Sequence, residues 1–181
     1  MPRVLVPLAP GFEEIEAVTV IDILRRANVE VVVAGVDSGP IEGSRGIRVT
    51  PDTTLAAAGT EFDLVAIPGG ARGAERLREE PGLHALLREL LAKGKPVAAI
   101  CAAPTVLSRL GILEGRRATA HPSVLSLLRA GQVVTDRVVV DGPVVTSRSP
   151  GTAMEFAFKL VELLVGRVKA EEVNRGVLAR L

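Results

Sequence analysis

Cysteine occurs once in the 181 residues, histidine twice, and tryptophan and tyrosine not at all. One thiol excludes an internal disulfide, and with only two imidazoles a structural zinc site lacks its usual ligands. Phenylalanine is the only aromatic type, so the stacking platforms that hold single-stranded nucleic acid are missing. A charge excess is missing as well. Lys+Arg 22 against Asp+Glu 21 leaves a formal net charge of +1, with no basic footprint for nucleic acid or a membrane surface. No apolar run is long enough to span a bilayer, and Met1-Pro2-Arg3 leads straight into a strand rather than a signal peptide. The expectation is a soluble cytoplasmic protein that binds neither nucleic acid nor membrane.

What is present suits one domain over residues 1–181, with 48% apolar residues to build its core. Arg3 to Ala9, Glu30 to Gly35, Phe62 to Ile67 and Val97 to Ile100 are short apolar runs bounded by turn signals, and they predict buried strands. Helical spacing predicts helices over Phe12 to Ala27, Ala74 to Glu80, Pro81 to Lys93, Thr105 to Leu110, Ser123 to Ala130, Thr152 to Val165 and Ala170 to Arg180. Gly35 to Gly46 is turn-rich, with one short edge strand, and Ile47 to Thr50 reads as another. Arg117 to Ala120 reads as a strand. Val133-Val134, Val138 to Val140 and Val144 to Ser147 alternate like an antiparallel meander. Strands alternating with helices predict a mostly parallel sheet covered on both faces, with ligands at the strands' carboxyl ends. Three loops then converge there: Pro10 to Glu16, Pro68 to Gly73, and Ile100 to Pro104.

The lone Cys101 sits where a strand turns into a helix with almost no loop between, and Ala99 and Ala103 on either side leave room for a sharp bend. Such an elbow exposes its side chain and aims unpaired N–H groups of the helix at the sulfur, which favours thiolate. It also predicts a sparsely populated backbone conformation. A small buried hydrophobe is the alternative reading of any cysteine. The Gly69-Gly70-x-x-Gly73 loop lacks the full dinucleotide fingerprint and any Walker lysine, so it reads as a tight turn. The N–H groups of Gly70 and Ala102 are placed to form an oxyanion hole beside Cys101. Glu16 falls in register with Val20, Ile23 and Ala27, a stripe that looks buried, whereas Glu14 shares one with Val18 and Ile21; pattern alone does not choose between them. His121 follows a strand and is a candidate acid or base; His84, on the leucine-rich helix, reads as exposed and without a role.

Glu13-Glu14-Ile15-Glu16-Ala17, Pro68-Gly69-Gly70, Ala99-Ile100-Cys101-Ala102-Ala103-Pro104, Ala120-His121-Pro122 and Thr146 to Thr152 with Glu155-Phe156-Ala157 together resemble the ThiJ/PfpI superfamily. The resemblance is to the subgroup of the Parkinsonism-associated protein deglycase and covers nearly the whole chain. It implies an α/β flavodoxin-like three-layer sandwich with a nucleophile elbow, a homodimer, and no cofactor or metal. It implies an oxidation-sensitive nucleophile at Cys101, a buried protonated glutamate at Glu16, the histidine at His121, and oxyanion amides at Gly70 and Ala102. Arginines near the oxidised cysteine map onto Arg45 and Arg148. Peptidases of the superfamily resemble Cys-His-Gly at the elbow; here Ala102 replaces that histidine, so peptidase activity is not expected. The implied chemistry is that of a cysteine enzyme acting on methylglyoxal, glyoxal or their adducts on proteins. The rival is an oxidative-stress sensor or redox-regulated chaperone using the same thiol.

Overall fold

The computed structural model describes residues 1–179. Along the chain come β1 (Arg3–Leu8), α1 (Glu14–Arg26), β2 (Glu30–Gly35), β3 (Ile41–Glu42), β4 (Arg48–Val49), β5 (Thr53–Thr54) and β6 (Leu64–Ile67). There follow α2 (Ala71–Leu77), α3 (Pro81–Ala92), β7 (Val97–Ile100), α4 (Pro104–Arg109), β8 (Arg117–Ala118), β9 (Gln132–Val133), β10 (Val138–Asp141) and β11 (Val144–Ser147). The last elements are α5 (Ala153–Val165) and α6 (Arg167–Val177).

Seven strands form one sheet in the order β10-β11-β7-β6-β1-β2-β5, parallel except for the β10–β11 pair. Its central strands carry apolar residues without interruption because both faces are covered. Side chains alternate between the faces. Val4, Val6, Leu8, Leu64, Ala66, Ala98 and Ile100 pack with α1, α5 and α6, while Leu5, Val65, Ile67, Val97 and Ala99 pack with α3 and α4. This is a flavodoxin-like three-layer α/β fold. From β1 the chain winds outward to β2 and then returns through β6 to β7, so the order reverses between β1 and β6. The carboxyl ends there carry the three loops expected to converge.

Several elements differ from expectation, each for a local reason. Helix α1 starts two residues late because Glu13, at φ −86° and ψ 116°, is extended, with its N–H on the Gly69 carbonyl. Helix α2 starts three residues early, directly after Gly70. Pro122–Leu127 is a 3-10 helix rather than an α-helix, capped by His121. The antiparallel meander is confined to the β10–β11 hairpin: β9 instead pairs in parallel with β8, outside the main sheet. Likewise β3 and β4 form their own two-stranded antiparallel ribbon, and β5, unforeseen in the sequence, takes the sheet edge. Helix α6 starts after Gly166, three residues early, and Arg180, expected to end it, lies outside the described residues. No helix among the described residues is long and apolar enough to cross a membrane.

Phe156 on α5 is fully buried against the face that α1 also covers. A Phe156→Ala variant is expected to lose about 3–5 kcal/mol of stability through the cavity it leaves. Denaturant unfolding measures this directly.

Candidate active site

At the end of β7 the backbone turns sharply, and Cys101 takes φ 65°, in the left-handed region that side chains disfavour. The conformation is held from both sides. The Cys101 N–H donates to the Ser147 carbonyl (3.0 Å), and the Cys101 carbonyl accepts from the His121 N–H (2.9 Å). Ile100 is fully buried and Cys101 half-buried, so the side chain emerges at the sheet edge as the elbow predicts. Holding such a residue there costs on the order of 1–3 kcal/mol, which the surrounding bonds must offset.

The N–H groups of Gly70 and Ala102 both point at the sulfur. Neither neighbouring glycine tolerates a side chain. Gly70 has φ 88°, and a Cβ there would run into the Gly11 carbonyl. A Cβ on Gly69 would lie 2.7 Å from both the Cys101 Cβ and Glu16 Oε2. Those two bare positions let the first turn of α1 close over the elbow. The Glu13 N–H donates to the Gly69 carbonyl (3.0 Å), and the Gly69 N–H donates to Glu16 Oε2 (2.7 Å).

Glu16 is fully buried, and Oε1 has no regular hydrogen-bond partner. Burial disfavours the charged form, and the Glu16 pKa rises from 4.5 to about 7. The thiol responds to the same partner. Burial first, then the Glu16 charge and a Glu16 hydrogen bond, push the Cys101 thiol up to about 12, while the Gly70 and Ala102 N–H groups pull it down. The sequence-based expectation of a resting thiolate is therefore not met: burial, the largest cause, keeps the proton on the sulfur, and the Glu16 charge adds to it. With Glu16 ionised, the sulfur keeps its proton. With the proton on Glu16, the two causes that come from the carboxylate disappear and its O–H becomes a donor to the sulfur.

Residues 2–163 match the model of the DJ-1/PfpI family. The chain belongs to that family. It is 45% identical to Protein dj-1beta of Drosophila melanogaster, covering 96% of this chain and 95% of that protein. Identity to the glutathione-independent glyoxalase DJR-1.2 of Caenorhabditis elegans is 38%, covering 89% and 87%. The solved structure of oxidized Toxoplasma gondii DJ-1 superposes with a TM-score of 0.96 at 43% identity over the full length of both chains.

Within this DJ-1/PfpI site the expected residues fall into two groups. Cys101, Glu16, Gly70 and Ala102 are brought together around the sulfur. His121 touches the elbow through its backbone, but its ring is turned to its own loop: Nδ1 accepts from the Ser123 N–H (3.2 Å) and lies 2.8 Å from the Ser123 hydroxyl. A neutral ring so held carries its proton on Nε2. Arg148 follows the Ser147 that binds the Cys101 N–H; its Nη1 donates to the Thr135 carbonyl (3.2 Å), and its Nε is buried without a partner. Arg45 lines a cavity of about 490 Å³ that reaches Gly70. His84 is half-buried rather than exposed, with a shielded Nε2.

Sequence reasoning undervalued Glu14, which is buried even though Val18 on its stripe is exposed. Its Oε1 accepts from the Arg45 N–H (2.6 Å) and the Ile47 N–H (3.4 Å), and its Oε2 from the Ser44 hydroxyl (3.0 Å). Burial works to raise its pKa, but these donors outweigh it and hold the carboxyl below its ordinary value. Glycine at 43 was the one available signal, since a Cβ there would collide with the Glu14 carboxylate.

An acid held above its unfolded value stabilises the fold below that value, and the contribution is lost as pH rises towards the folded one. For Glu16 the window runs from 4.5 to about 7. The stability of wild type relative to Glu16→Gln is expected to fall by on the order of 3 kcal/mol across it. Denaturant titrations of the two proteins that stay parallel over that range would refute the burial assigned to Glu16.

Proposed function

We propose that the chain is a cofactor-independent cysteine enzyme acting on methylglyoxal, glyoxal or their early adducts on proteins. The observation that carries this reading is the Glu16–Cys101 pair under two converging N–H groups. The name of the DJR-1.2 relative, a glutathione-independent glyoxalase, points the same way.

Glu16 takes the thiol proton, the Cys101 thiolate adds to the aldehyde carbon, and Glu16 passes that proton to the new alkoxide, which gives a hemithioacetal and leaves Glu16 ionised again. The Gly70 and Ala102 N–H groups hold the oxygen that becomes negative in that step. Glu16 then carries the proton from the former aldehyde carbon to its ketone neighbour while the hemithioacetal hydroxyl proton moves to the ketone oxygen, which leaves a thioester of the 2-hydroxy acid. Water hydrolyses the thioester, releasing the 2-hydroxy acid and restoring the thiol. One carbon is oxidised and its neighbour reduced, so no external oxidant or cofactor enters. His121 has a lesser part, because its ring is held to Ser123. Ala102 in place of histidine argues against peptidase chemistry.

The same geometry supports a second reading, in which Cys101 is oxidised to sulfinate and the chain acts as a stress sensor or chaperone. Half-burial, the two N–H donors and the unpartnered Arg148 Nε favour it, as does the structure of a relative described as oxidized. Both readings include a homodimer. Exposed Ile15 and Val18 on α1, with exposed Ile47 on the loop that Glu14 holds, offer it an apolar face. Both also place the chain in the cytoplasm.

Cys101→Ser is expected to turn over no methylglyoxal above background, while His121→Ala retains more than about a hundredth of wild-type turnover. Lactate formation measures both, and full activity in the serine variant defeats the proposal. With about 7 for Glu16, the Cys101 alkylation rate is expected to rise with pH through that value and level off. Glu16→Gln removes that inflection.

A further inference from the structure

The 490 Å³ cavity beside the elbow is lined by Gly11, Glu13, Ser44, Arg45, Gly70 and Arg72, among others. It reaches the sulfur's surroundings through Gly70, whose N–H points at Cys101. Arg72 stands two residues further along the chain, in the first turn of α2. Its stem is fixed against the Pro10–Gly11 turn, where a Cβ on Gly11 would lie 2.7 Å from the Arg72 Cβ. Among the described residues, neither Arg72 nor Arg45 is paired with a carboxylate, unlike Arg48 and Arg76 nearby.

The carboxylates at and beside the cavity, Glu13, Glu42 and Glu14, are engaged elsewhere. Glu42 pairs with Arg48 (3.0 Å), Glu13 shares the Ser44 hydroxyl with Glu14, and Glu14 accepts from the Arg45 and Ile47 N–H groups, so none of the three bonds the guanidinium of Arg45 or Arg72. Two guanidinium groups without carboxylate partners thus line a cavity that also reaches Gly70. On its far side Arg72 borders a second cavity, of about 380 Å³, whose lining includes Asp37, Glu75 and Glu79. That acidic space repels an anion and leaves the inner one as its place to bind.

We propose that Arg72, with Arg45 also lining it, makes this cavity the binding site for the carboxylate of an α-oxoaldehyde that carries one, and so sets substrate preference. The proposal rests on the glyoxalase-type reading. For 4,5-dioxopentanoate the reaction is addition of one water to give 2-hydroxyglutarate with release of one proton. The aldehyde carbon is oxidised and the ketone carbon reduced, as for methylglyoxal. The guanidinium groups take no part in the proton transfer; they bind the remote carboxylate through charge-assisted hydrogen bonds.

Two measurements separate this inference from the reading beneath it. In steady-state kinetics, wild type is expected to show a higher kcat/KM for 4,5-dioxopentanoate than for methylglyoxal. Arg72→Gln is expected to lose about tenfold of the former, in KM, and to leave methylglyoxal unchanged. In calorimetry, the unreactive analogue 4-oxopentanoate is expected to bind wild type, weaken with added salt, and bind Arg72→Gln about tenfold less tightly. Equal affinity of both proteins for 4-oxopentanoate, or equal loss on both aldehydes, overturns the role of Arg72. Normal binding of 4-oxopentanoate without turnover of either aldehyde overturns the enzymatic reading and leaves the carboxylate site standing.

Discussion

Two acids meet at the switch point of the sheet in a space that burial keeps from holding two charges. Glu16 is sealed beneath the first turn of α1, and Cys101 is pressed against it from the end of β7. With the carboxyl shifted up to about 7 and the thiol up to about 12, the pair holds one proton between those values. Where that proton sits decides whether the sulfur is a thiol or a thiolate. Three backbone N–H groups set the balance: Gly69 donates to the carboxylate, Gly70 and Ala102 to the sulfur.

The rest of the fold keeps those parts at their spacing. Parallel strands β1, β6 and β7 end side by side, so loops distant in sequence become neighbours. Glycines at 69 and 70 let the β6 loop lie against both the elbow and the start of α1, closer than any side chain permits. The positive φ of Cys101 is kept by bonds from β11 and from the segment before the 3-10 helix. Helix α1 serves both sides of the site at once. Glu16 faces the sulfur, and Glu14, two residues earlier, ties down the Ser44–Ile47 loop that forms a cavity wall. Neighbouring glutamates thus acquire opposite shifts, because one meets few donors and the other meets three.

Much of this was legible in the chain. The elbow follows from a four-residue apolar run meeting Pro104, and the three converging loops follow from alternation of strands and helices. The stripe of Glu16 with Val20, Ile23 and Ala27 made it a candidate for burial without choosing it over Glu14; the resemblance to the family made that choice. Glu14 was not legible, because its burial comes from the β3–β4 ribbon folding over it and not from its own helix face. The pairing of β9 with β8 was hidden for a related reason: alternation marks a strand but does not name its neighbour. Nor could pattern show the His121 ring turning to Ser123, a two-residue contact set by the 3-10 geometry.

By itself the sequence determined the class of fold and the place of the lone thiol at a strand-to-helix elbow, since periodicity and turn residues act over short stretches of chain. Tertiary structure alone decided the pKa shifts of the Glu16–Cys101 pair and which arginines around it stay without a carboxylate partner. Both depend on what lies within a few ångströms across strands, where desolvation and converging N–H groups outweigh any intrinsic pKa.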